Sequence, residues 1–259
     1  MGIFDTHAHY DDSRFGEDRD ELLSRLGEPD DINPFGVDYV MHCATDMESS
    51  IRALELAEKY PFIYCALGFH PSDADKFREG DEERLEKLLA HPKAVAVGEC
   101  GLEYHYDFVS KQTQKAVLEK MFCLSEKLGK PIVLHDREAH GDIMDFVYRH
   151  KNAFGIVHSY SGSGEMAKDL IRRGWYISFS GSVTFKNAEN LRAAAREVSL
   201  DRILVETDAP YLTPVPYRKY RNDSRYCYET LALLASVKGV TTEELCSITK
   251  SNALNLLKI

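Results

Sequence analysis

The sequence has no stretch near the ~20 consecutive apolar residues that a membrane-spanning helix needs, and no basic segment followed by an apolar run near residue 1. Both absences point to a cytoplasmic protein with no membrane partner. No Pro-, Gly- or Ser-rich or low-complexity tract interrupts the 259 residues, so no linker is expected and residues 1–259 read as a single domain. Six cysteines are present, Cys43, Cys65, Cys100, Cys123, Cys227 and Cys246, but none forms a C-x-x-C pair. That excludes a thioredoxin-like redox motif and a cysteine-based zinc knuckle, and leaves reduced, mostly buried thiols. Positive charge is also short: 32 Lys and Arg against 42 Asp and Glu give a formal charge of −10. This excludes a surface that coats itself with nucleic acid, because Lys and Arg neutralising phosphates dominate such binding. It does not exclude a phosphate-bearing substrate, since bound divalent cations can supply the missing charge locally. Nothing in the sequence marks an obligate protein partner.

What is present is an alternation. Short runs rich in Val, Ile and aromatic residues recur as GIFDTHAH at 2–9, VDYVMHC at 37–43, FIYCALG at 62–68 and AVAVGE at 94–99. Four more follow: PIVLH at 131–135, FGIVH at 154–158, WYISFS at 175–180 and RILVETD at 202–208. Helical spacing separates them, as in Val117, Met121, Leu124 and Leu128 ahead of Gly129 and Pro131. A last helix is expected over 242–257, opened by the capping pattern TTEE at 241–244. Eight strand–helix units in a chain of this length predict an α/β fold of the TIM type, a (β/α)8 barrel with every strand parallel and buried on both faces. An open doubly wound sheet is the alternative. The first strand, however, is followed by no Gly-rich phosphate fingerprint, and carries the tripeptide HAH instead.

The strand ends carry the chemistry. Residues i and i+2 of a strand project to one side, which pairs His7 with His9 and Glu206 with Asp208. Glu99, His135 and His158 close three further apolar runs, all at the carboxyl ends where barrel enzymes place their active sites. Four imidazoles and two carboxylates gathered at one barrel mouth would be costly without a cation among them. Six ligands exceed the needs of one tetrahedral ion, so a two-metal centre is expected, with Glu99 bridging. His7, His9 and Asp208 would complete one ion's shell, and His135 with His158 the other's. Magnesium, manganese and zinc all remain open as the two divalent ions.

These same residues carry a family resemblance. DTHAH at 5–9, GFHP at 68–71, GEC-GLEY at 98–104, PIVLHDREA at 131–139, HSYSGS at 158–163 and ETDAPYLTP at 206–214 together resemble the TatD family of metal-dependent deoxyribonucleases, in order and over essentially the whole chain. The resemblance implies a divalent-metal nuclease working 3′ to 5′ on DNA, single-stranded or at 3′ ends, with His7, His9, Glu99, His135, His158 and Asp208 as metal ligands. It also makes His70 a substrate contact. Two departures stand out: GLEY for the usual GLDY at Glu103, and RKYRNDS at 218–224, with Lys219 and Ser224 where the family often has Gly and Pro.

The chemistry expected of such a centre is attack on phosphorus by a hydroxide bridging the two ions, with Asp208 accepting its proton and Glu99 holding the pair together. Arg137, Ser161, Arg218 and Arg221 are candidates for holding phosphate, and Tyr217 and Tyr220 for stacking on a base. Asp5 lies one layer below His7 and, with Glu206, is expected to support the ligands from behind. The competing reading is a hydrolase of an amide, ester or lactone on the same barrel, because a bridging hydroxide attacks carbonyl carbon equally well. A third, metal binding without catalysis, is disfavoured by the presence of every expected ligand.

Overall fold

The computed structural model describes residues 2–259. Among them eight strands form one sheet in chain order: β1 (Ile3–Ala8), β2 (Val37–Cys43), β3 (Ile63–Leu67), β4 (Ala94–Glu103), β5 (Ile132–Arg137), β6 (Gly155–Val157), β7 (Tyr176–Phe179) and β8 (Ile203–Val205). The strand pairs of defined register run parallel. Beyond β8, Ala209 makes a parallel bridge to Ala8 at the end of β1. This is the strand order expected of a (β/α)8 barrel.

The residues group into two compact units, 2–42 with 158–259, and 43–157. In the first, β1 is buried along its whole length, and Phe4, Tyr10, Phe15, Trp175 and Phe179 fill the core. Its last helix, α9 (Thr242–Leu257), begins with the expected capping box: Thr241 accepts from the Glu244 N–H while the Glu244 side chain accepts from the Thr241 N–H. In the second unit, α4 (Lys111–Leu128) lays Val117, Met121, Phe122 and Leu124 on the core. Burying each such side chain contributes about 1.5–3 kcal/mol. The helix starts where Ser110 caps the Thr113 N–H and stops at Gly129, whose φ of 61° suits a residue without Cβ.

The structure departs from the sequence reading at several strand ends. β8 stops at Val205, three residues short of the apolar run, because the Asp5 carboxylate takes the Thr207 N–H and Asp208 turns into the left-handed region at φ 59°. β6 stops at Val157, leaving His158 just beyond it. β4 instead runs on to Glu103, paired residue for residue with β5 as far as Arg137. Gly101 makes that pairing possible, since a Cβ there would collide with the His135 carbonyl. Five of the six cysteines are buried and Cys123 is exposed.

Candidate metal centre

In the first unit three ligand atoms converge. His7 and His9 alternate along the end of β1 and turn their Nε2 atoms to within 3.1 Å of each other. Asp208 Oδ1 lies 3.4 Å from His9 Nε2 and 3.8 Å from His7 Nε2. Asp208 reaches this place through a turn rather than by strand alternation: its N–H donates to the His7 carbonyl at 2.9 Å, and its positive φ swings the side chain across. Burial pushes its carboxyl up, yet the His9 contact and the charges of His7, His158 and His9 outweigh burial and hold it below the usual carboxylate range. It is therefore an anion among imidazoles.

Two further residues back this set. The His158 ring stacks on His7 with centroids 3.9 Å apart and planes 12° from parallel. Glu206, wholly buried, holds His158 Nδ1 at 3.2 Å and accepts the Ser159 N–H at 2.7 Å through one oxygen. Its other oxygen, Oε2, has no hydrogen-bond partner among the described residues. A buried carboxylate left half satisfied is expensive unless positive charge stands nearby.

Asp5 works below them. It accepts from the backbone N–H groups of His7 (3.3 Å) and Thr207 (2.9 Å) and from the hydroxyls of Thr207 and Ser224 (2.6 Å each). Burial nevertheless pushes its carboxyl up to about 7. The departure at Ser224 thus has a structural use. Its hydroxyl reaches Asp5, and its N–H, which a proline would lack, donates to the Tyr10 hydroxyl at 2.9 Å.

In the second unit Glu99 Oε1 stands 2.9 Å from His135 Nδ1 and 3.6 Å from His70 Nε2. His70 caps the short helical turn Pro71–Lys76, its Nδ1 accepting the Ser72 N–H at 3.1 Å. That assignment puts the ring proton of neutral His70 on Nε2, making it a hydrogen-bond donor beside Glu99 rather than a ligand. Glu103, treated in the sequence only as a departure, belongs here as well: its Oε2 lies 3.3 Å from His135 Nε2. Burial raises the Glu103 carboxyl, but His135 and the loop N–H groups it accepts bring it below its ordinary value. Alternation signals it in the sequence, because Glu99, residue 101 and Glu103 share one side of a strand.

Both sets suit a cation. An ion about 2.1 Å from each ligand atom separates neighbouring ligands by about 3.0 Å at octahedral and 3.4 Å at tetrahedral angles. Spacings of 3.1 and 3.4 Å in one set and 2.9 Å in the other fall near those edges, whereas the 3.8 Å between His7 and Asp208 is wider than either. Mixed imidazole and carboxylate ligands fit zinc, manganese and similar ions.

The expected phosphate contacts are placed less uniformly. Arg137 is exposed at the end of β5, and Ser161 is exposed after His158. Arg218 donates to the Thr213 carbonyl at 2.8 Å and lies over the Phe185 ring. Arg221 donates from both terminal guanidinium nitrogens to Asp18 at 2.7 Å, and from one of them to the Arg14 carbonyl as well. Tyr217 packs against Tyr226 with centroids 4.9 Å apart, whereas Tyr220 is 64% exposed. Sequence reasoning missed Tyr211, whose ring stands 6.4 Å from His9 and carries Arg14 over its face at 4.0 Å.

Comparison with known proteins bears on this geometry. A family model described as TatD related DNase matches residues 4–258. An uncharacterised metal-dependent hydrolase of Bacillus subtilis, YabD, is 37% identical, over 99% of each chain. The protein named 3′-5′ ssDNA/RNA exonuclease TatD, of Cronobacter turicensis, is 30% identical, over 98% of this chain and 97% of that one. The crystal structure of YJJV, a TatD homologue of Escherichia coli, superposes with a TM-score of 0.91 at 28% identity, covering 99% and 98% of the two chains.

Proposed function

Because this chain belongs to the TatD related DNase family and is a metal-dependent hydrolase, we propose that it cleaves the phosphodiester backbone of DNA from the 3′ end, on single strands or exposed 3′ ends. The observation that carries this reading is the pair of imidazole–carboxylate sets, His7–His9–Asp208 and Glu99–His135, each at ligand spacing. We take residues 1–259 as one catalytic domain that works with two divalent ions. The relative named as a 3′-5′ exonuclease supports the polarity. Among the described residues no cysteine is in a disulfide, which agrees with a reducing, cytoplasmic setting.

Bound divalent ions would supply Lewis acidity toward phosphate oxygens and bring a water's pKa near neutrality. The chain's own groups do the rest. Asp208, held anionic, is placed to take the proton that an attacking water gives up. His70 presents Nε2–H beside Glu99, where it can donate to a phosphate oxygen, and Arg137 offers a guanidinium at the end of β5. Glu206 fixes the ring of His158, and Asp5 fixes the backbone of His7, so that neither imidazole reorients as substrate arrives.

The test follows a 5′-labelled single-stranded DNA with Mg²⁺ or Mn²⁺, with chelator, and with Glu99→Gln protein. A ladder shortening from the 3′ end, abolished by chelator and by the substitution, is expected. Cleavage of esters or lactones with no cleavage of DNA would assign the chain to carbonyl chemistry instead.

A further inference from the structure

Past Glu103 the chain turns outward through residues 104–110 before α4 begins. Phe108 is 70% exposed, the most exposed large hydrophobic side chain among the described residues, and Tyr106 beside it is 52% exposed. Their rings stack with centroids 5.2 Å apart and planes 13° from parallel. Neither ring serves the core.

The turn that carries them is pinned at both ends. Glu103 Oε1 accepts the N–H groups of His105 (2.7 Å) and Tyr106 (3.2 Å). Gln114 reaches back from α4 to the Glu103 N–H (2.8 Å), the Glu103 carbonyl (2.9 Å) and the Val109 carbonyl (2.9 Å). Tyr104 is held by Asp142 at 2.6 Å and lies under the Lys111 ammonium at 3.9 Å. The stacked rings are therefore presented on a fixed mount. The other oxygen of the same Glu103 side chain is the one 3.3 Å from His135. Three residues of chain span at most about 10 Å, which keeps Tyr106 within roughly a nucleotide or two of the Glu99–His135 set.

We propose that Tyr106 and Phe108 form a stacking shelf for the nucleobases of a single-stranded nucleic acid whose phosphate lies at Glu99 and His135. This rests on the reading above and adds the feature that makes the substrate single-stranded: a base can lie on the shelf only when it has left its own stack. A π-face is common to every base, so the shelf grips without reading sequence.

The test measures binding of a labelled single-stranded oligonucleotide, and of an abasic strand of the same length, by anisotropy with Ca²⁺ in place of a catalytic metal. Wild-type protein is expected to favour the base-bearing strand, Phe108→Ala to lose about tenfold of that preference, and Phe108→Trp to restore it. Tyr148→Ala, at an exposed aromatic on the helix His140–Arg149, serves as the control. Equal affinity of wild-type protein for the two strands, or equal weakening of both by Phe108→Ala, would overturn the shelf. Both rings are exposed, so the variants are expected to fold, as thermal melts will verify. Hydrolysis of labelled DNA by wild-type protein is scored separately and reports on the nuclease reading alone.

Discussion

His42 should make this protein acid-labile in a way that one substitution removes. The side chain sits on β2, fully buried, with Nδ1 accepting the Tyr10 N–H at 3.0 Å. Among the described residues Nε2 makes no well-formed hydrogen bond, and it faces Asp11 at 3.5 Å. Burial is the largest influence on the ring and, with the neighbouring His9 and His7 charges, outweighs Asp11, so the pKa falls from 6.5 to about 4. A histidine that resists protonation only when folded costs nothing above pH 6.5. Below that the unfolded chain binds the extra proton, so stability falls as pH drops from 6.5 toward 4. At pH 4.5 the loss from this one group is ~2.5 kcal/mol. His42→Asn keeps an acceptor for Tyr10 N–H and removes the titration. Urea unfolding in chelator at pH 7.5 and 4.5 should show wild type losing ~2.5 kcal/mol more than the variant between the two pH values. Any packing defect in the variant is the same at both pH values and cancels. Equal losses in the two proteins would refute the reasoning.

Three other outcomes are expected. Glu206→Gln, which removes the buried charge behind His158, should weaken divalent-metal affinity by about 10–100-fold in chelator competition while the protein stays folded. Stripping metal with chelator should lower the melting temperature by about 5–10 °C, since ions present at 100 times their dissociation constant contribute about 2.7 kcal/mol, and manganese should restore it. Thr241→Ala should cost about 1 kcal/mol by removing the α9 cap, with a drop of about 2–4 °C, and leave turnover unaltered because the cap is far along the chain from every ligand.

The eight strands were legible because buried parallel strands need continuous apolar runs, and His7, His9, His135 and His158 were legible because each interrupts or ends such a run. Asp208 was found for an incomplete reason. Strand alternation put it beside Glu206, yet β8 ends at Val205 and a left-handed turn delivers the carboxylate. Glu103 was visible two alternations past Glu99 but read as a mere lengthening of the usual Asp. The pairing of Arg221 with Asp18 was not legible, because neither residue sits in a pattern and 203 residues separate them. Nor was the Asp5 network, whose hydroxyl partners are ordinary Thr and Ser until the chain is folded.

That network has a consequence for synthesis. Asp5 is satisfied by Thr207 and Ser224, 202 and 219 residues further on, so the histidines beside it acquire their support only after those later residues have been made. At about 5–20 residues per second, a chain still on the ribosome carries His7 and His9 for many seconds without the residues that hold them. If the nuclease reading holds, hydrolysis begins only once the chain as far as Ser224 has been made and has folded back onto Asp5.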